Sequence, residues 1–155
     1  MAKYSVSGSL RIDAPPARVY GIIADYHRGH PSILPKQFSN LRVVSGSGVG
    51  AGTTIAFDVT AMGRTDRYRA VVSEPEPGRV LIEQNVEPYE SVTTFTVDPE
   101  DDGRAANVTI RTDLNTRPGV VGIIERFMIK PVLRRLYAEE LQLLAARATA
   151  ADTDV

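Results

Sequence analysis

The sequence has no cysteine, no tryptophan and only two histidines in 155 residues. Without cysteine there is no disulfide, no thiol nucleophile and no cysteine-held zinc. His27 and His30 would need a third ligand to hold a metal, and Asp25 is the only carboxylate near them. Two solvated histidines in a proline-bounded loop are the plainer reading. Histidine titrates close to neutral pH, so His30 at a cavity mouth is also a candidate for acid–base work. An excess of charge of one sign is missing too. The formal net charge of −1 argues against a broad basic surface for nucleic acid or anionic membrane. No apolar run is long enough to span a bilayer, and the first residues (MAKYSVSGSLRIDAPP) carry no signal-like apolar stretch. The expectation is a cytoplasmic protein with no nucleic-acid partner and no stable membrane insertion.

Several catalytic signatures are absent as well. The glycines from Gly46 to Gly52 alternate and never give G-x-G-x-x-G, and no Gly-Lys-Ser/Thr follows them. They lead into a strand, so a plain hairpin turn is expected. No serine sits in a G-x-S-x-G elbow. The acid pairs Glu74/Glu76 and Asp101/Asp102 fall in turns, where solvated side chains are the common outcome. No cofactor and no metal is expected.

What is present is ordinary globular material: 43% apolar and 24% charged residues, enough for a single domain over residues 1–148. Residues 149–155 (TAADTDV) are too polar and small to pack and read as a frayed tail. Residues 4–12 alternate, with Tyr4, Val6, Leu10 and Ile12 on one side and serines on the other, which predicts a half-buried strand. Asp13 is a suitable N-cap for a short helix over 15–25, with proline in its first turn. A helical turn near 32–34 follows. Then come strands broken by glycine and proline turns: 41–45, 53–61, 65–74, 80–86, 91–97 and 106–112. Short connections favour an antiparallel meander of about seven strands.

The one long periodic stretch is 118–148. Val120, Ile123, Ile124, Phe127 and Met128 share one helical face; Leu133, Leu136, Tyr137, Leu141, Leu144 and Ala148 share the opposite one. A straight rod cannot bury both, and Pro131 interrupts helical bonding, so a break or kink near Lys130-Pro131 is expected. The second half is expected to be gripped by the sheet. The first half is expected to pack over one end of the sheet and to close, line or extend a cavity there. Arg134, Arg135, Glu139, Glu140 and Arg147 are read as a solvated outer face.

The order of elements resembles the START-like, or SRPBCC, superfamily, in its polyketide cyclase/dehydrase-type subgroup. Four stretches carry the likeness: 12–20 (IDAPPARVY) with Ile23-Ala24-Asp25, the glycine turn 48–53, the turn 72–78 (VSEPEPG), and 121–141. The resemblance implies an α+β helix-grip fold. In it, a curved antiparallel sheet wraps a long kinked C-terminal helix, with short helices after the first strand. Members of the family often carry tryptophan after the first helix; here Tyr26 and His30 stand in that region.

Strand parity turns Tyr68, Gln84, Thr93 and Thr112 inward beside Phe57, Val59, Ala70, Phe95 and Ile110. A mostly apolar cavity with a few polar groups is how small-molecule sites look. The expected cavity set is Phe57, Val59, Tyr68, Gln84, Thr93, Phe95, Ile110, Thr112, Ile124 and Phe127. Tyr68 and Gln84 would orient a ligand, unless they satisfy each other in a filled core. The expected function is binding of a small hydrophobic or aromatic ligand, such as a lipid or polyketide, by a monomer or homodimer. The resemblance leaves two alternatives open. One is a polyketide cyclase or dehydratase in which Tyr68 or His30 moves protons. The other is a partner-binding or quinone-chaperone module that uses an exposed 120–128 face.

Overall fold

Residues 3–115 and 119–150 are described by a computed structural model of the chain. The elements are β1 (Lys3–Ile12), α1 (Pro16–Ala24), a 3-10 turn (Pro31–Ile33), β2 (Phe38–Ser45), β3 (Thr54–Ala61), β4 (Arg64–Glu76), β5 (Val80–Glu87), β6 (Ser91–Glu100), a second 3-10 turn (Asp101–Gly103), β7 (Ala105–Asn115) and α2 (Gly119–Thr149). The seven strands form one antiparallel sheet in the order β1-β7-β6-β5-β4-β3-β2. Five hairpins make the run from β2 to β7. Strand β1 closes the other edge by pairing along the whole of β7, from Lys3 opposite Asn115 to Ile12 opposite Ala106. This is the expected α+β helix-grip architecture.

Alternation places the core. In β1, Tyr4, Val6 and Ile12 are buried while the serines between them are exposed. Ile55 and Phe57 of β3, Ala70 and Val72 of β4, Phe95 and Val97 of β6, and Val108 and Ile110 of β7 turn to the same side. There they meet Leu136, Tyr137, Leu141, Leu144 and Ala148 of α2. Burying a large apolar side chain contributes roughly 1.5–3 kcal/mol, so this shared face dominates the stability of the fold.

Helix α1 starts one residue later than the sequence suggests. Pro15 is its N-cap, and Asp13 is exposed, beside Arg11 at 3.4 Å. The C-terminal end of α1 is held by the glycine turn: Tyr26 N–H donates to Gly48 O and Gly50 N–H to Ala24 O, at 2.9 and 3.0 Å. Glu74 is no solvated turn residue. It accepts from Tyr20 Oη at 2.6 Å and from Ala51 N at 2.7 Å, joining α1, the glycine turn and β4. Gly50 has φ +65°, and a Cβ there would lie 2.2 Å from Glu74 Oε1.

Helix α2 departs most from expectation. Pro131 lies inside a continuous helix of 31 residues and does not divide it. Only the second apolar stripe therefore faces the sheet. The first stripe lies on the far side: Val120, Ile123, Ile124, Phe127 and Met128 are all more than half exposed, Phe127 at 77%. These residues do not pack over the sheet. The first half of α2 is tied to β1 by charge, with the Arg126 guanidinium and Lys130 ammonium 5.3 and 5.9 Å from the Tyr4 ring centre. At the other end, Arg18 Nε donates to Ala148 O at 2.6 Å, satisfying a carbonyl that a helix end leaves open. Thr149 belongs to the helix, with its hydroxyl donating to Ala145 O at 2.7 Å. The rest of the expected tail, 151–155, lies outside the described residues, as does Pro118.

Candidate functional site

A cavity of about 140 Å³ lies between the sheet and the second half of α2. Its walls are apolar where the strands alternate inward: Ile55, Phe57 and Val59 from β3, Phe95 from β6, Ile110 from β7. Phe57 stacks on Tyr68 of β4, ring centres 5.5 Å apart and planes 9° from parallel. Leu133 and Leu136 come from α2, and Leu34 from the loop after the 3-10 turn. Of the expected cavity set, Phe57, Val59, Tyr68, Thr93, Phe95, Ile110 and Thr112 line this space, and so does His30.

Three expected residues do not. Gln84 is exposed, because β5 presents the opposite face from the one expected. Val80, Leu81 and Ile82 are all apolar, so either parity is possible in the sequence. Pairing decides it: Leu81 sits opposite Phe95 and Glu83 opposite Thr93, both inward-facing partners on β6. Ile124 and Phe127 are exposed on the outer side of α2, and Phe127 borders a shallow external groove with Ile123 and Arg126. They do not line the cavity.

The corrected parity of β5 brings two groups into the site that the sequence reading left outside, Glu83 and Asn85. Glu140 is the third. It was placed on the solvated face of α2, yet it is 4% exposed and lines the cavity. Its position was legible: four residues after Leu136 and four before Leu144, it lies in the middle of the apolar stripe.

Around Glu83 the polar groups form a tight set. Tyr26 Oη donates to Glu83 Oε1 at 2.7 Å. His30 is 3% exposed, so it is neither solvated nor at the rim. Its ring stacks on Tyr26 at 4.6 Å and meets Phe95 edge-on at 5.6 Å. His30 Nδ1 lies 2.7 Å from Ile23 O. A carbonyl only accepts, so Nδ1 carries a proton, and Nε2 is left facing Glu83 Oε1 at 3.4 Å. His27, by contrast, is exposed and reaches Ser47 O at 2.8 Å. On the other wall, Thr93 and Thr112 hydroxyls are 2.8 Å apart, and Thr112 bonds in turn to Tyr137 Oη.

Burial controls the acidities. Glu140 is pushed well above the ordinary carboxylate range, first by loss of solvent and then by the charge of Glu83. Tyr26 is raised by burial and by the same Glu83, and Tyr137 is raised by burial. Tyr68 is raised too, by burial and by Asp66, so it is a poor base at neutral pH. Glu140 Oε2 is buried with no hydrogen-bond partner. Among the described residues no lysine or arginine lines the cavity, and there is no group of three or more metal-ligating side chains. No helix among them is long and apolar enough to cross a membrane.

A seven-stranded antiparallel sheet gripping one long helix over an interior cavity defines a START-like helix-grip protein. The chain belongs to the polyketide cyclase/dehydrase and lipid transport family, whose model matches residues 3–149. Among solved structures it is similar to the KanY protein, at 28% identity, a TM-score of 0.82, and coverage of 97% of this chain and 100% of that one. It is also similar to the Zhui aromatase/cyclase of a Streptomyces species, at 17% identity, a TM-score of 0.80, and coverage of 99% and 100%. Truncated norcoclaurine synthase of Thalictrum flavum aligns at 16% identity, a TM-score of 0.75, and coverage of 97% and 96%. At these last two identities the likeness is one of fold alone. Among curated proteins no match was found.

Proposed function

We propose that the protein binds a small hydrophobic or aromatic molecule in the cavity between the sheet and α2. One observation carries this reading: an internal space of about 140 Å³, walled by apolar side chains yet furnished with His30, Glu83, Thr93, Thr112 and Glu140. A filled core would have left no space, and a purely structural one would not retain two buried carboxyls. A cavity near 150 Å³ accommodates one benzene-sized ring. The scale therefore favours a single-ring ligand, or one ring of a larger molecule whose remainder leaves by the open side. The family and the fold support ligand binding in general; the identity of the ligand is the part proposed.

The test is a methyl NMR titration with toluene and benzyl alcohol. Saturable shifts at Ile55, Ile110 and Leu136, with none at Val120 or Ile123, are expected. No saturable shift with any single-ring compound would sink the reading.

A second reading, catalysis of the cyclase or dehydratase kind, gains support from one distance. His30 Nε2 and Glu83 Oε1 stand 3.4 Å apart beside the cavity, a pairing of acid–base groups suited to moving protons on a bound carbonyl compound. Turnover of a poly-β-keto substrate that survives His30→Ala unchanged would remove His30 from that role.

A further inference from the structure

The two buried carboxyls are not equivalent. Glu83 has a hydroxyl donor in Tyr26 and faces His30, which can offset its charge. Glu140 is 4% exposed and lines the cavity, and its Oε2 is buried without a hydrogen-bond partner. The titratable groups around it are Glu83 from β5, His30 and Tyr26 from the segment after α1, and Tyr137 from its own helix. None of the described residues lining the cavity is a lysine or an arginine. The protein thus holds an acid in an apolar space and supplies no cation to it. Such a group is normally paired or kept neutral. The aromatic walls (Phe57 stacked on Tyr68, with Phe95 opposite His30) offer faces that also attract a cation.

We propose that the cavity takes a small aromatic amine in its protonated form, with the ammonium group as the missing partner of Glu140. The proposal rests on the ligand-binding reading above and names the class of ligand. A carbonyl ligand fits less well. It would accept one hydrogen bond from a protonated Glu140 and leave that acid un-ionised. An ammonium group lets Glu140 ionise beside Glu83 and gives its carboxylate a charge-assisted hydrogen bond. When the cation arrives, Glu140 gives up its proton to solvent, so binding of a protonated amine is coupled to proton release.

The test is calorimetric titration of the full chain at pH 7 with three near-isosteric probes: benzylamine, benzyl alcohol and benzaldehyde. Benzylamine is expected to bind at least tenfold more tightly than either neutral compound. Repeating the titration in buffers of different ionisation enthalpy should show the proton release. Glu140→Gln should remove the amine preference and the proton release. Glu83→Gln is the second variant. It relieves the repulsion on Glu140 and is expected to reduce the proton release without abolishing amine binding. Equal or tighter binding of the alcohol or aldehyde overturns the amine assignment but leaves ligand binding standing. So does an amine preference that persists in Glu140→Gln. Failure of all three probes to bind overturns both.

Discussion

Removing the acidity of Glu140 should make the protein more stable, and the gain should depend on pH. The folded carboxyl is raised well above the ordinary glutamate value of about 4.5 by burial and by Glu83. The unfolded chain releases that proton near the ordinary value, whereas the folded chain keeps it. Above about pH 4.5 the unfolded state therefore binds fewer protons, and folding stability falls as pH rises until the folded carboxyl also ionises. The slope for one proton is about 1.4 kcal/mol per pH unit. In Glu140→Gln that slope disappears while the shape of the side chain is kept. The variant should match the wild type at pH 4 and pull ahead through the weakly acidic range. Each pH unit of separation corresponds to roughly 3–6 °C in Tm for a domain of this size. Urea denaturation of both proteins at half-unit intervals from pH 4 to pH 8 measures it directly. Parallel stability profiles, or a variant that loses ground as pH rises, would refute the assignment of a buried, neutral Glu140.

Other perturbations follow from the packing. Leu144→Ala, at a fully buried position on the gripped face of α2, should cost about 2–5 kcal/mol in urea denaturation. Phe127→Ser, at the exposed face, should stay within about 0.5 kcal/mol; comparable losses would mean that the first stripe is covered after all. Gly50→Ala meets both a φ of +65° and the Glu74 carboxylate, and is expected to lose about 1–3 kcal/mol. If Glu74→Ala does not soften that loss, the carboxylate is not its cause. Tyr26→Phe takes the hydroxyl donor from buried Glu83 and should cost about 1–3 kcal/mol. A loss under 0.5 kcal/mol would show that His30 alone satisfies Glu83.

The sheet was legible because its strands alternate cleanly and its turns carry glycine or proline. Seven strands in a meander, a short helix and a long one all follow from that pattern. The cavity wall was legible wherever a strand offered one apolar face, as in β3, β4, β6 and β7. It was illegible in β5, where Val80, Leu81 and Ile82 satisfy either parity and only the partner strand chooses. The buried carboxyls escaped for a related reason. A glutamate is rarely buried, so composition argues for the surface even where helical spacing places Glu140 between Leu136 and Leu144. The two apolar stripes of α2 were read correctly as opposed. The break inferred from them was not found, because the helix continues and leaves one stripe in solvent. Roles for the lining residues require a ligand, and no pattern of residues names one.

The pairing of β1 with β7 also governs when the molecule can form. Strands β2 to β6 meet neighbours that follow at once, so a growing chain can assemble them as it is made. Strand β1 is synthesised before β7 and must wait for it, with Lys3 held back for Asn115. Closing so long a loop precedes any gain from the contacts it makes, which slows folding. During that interval the inner face of the sheet lacks the cover of α2, which follows β7 in the chain. The cavity therefore comes into being only when α2 docks on the sheet.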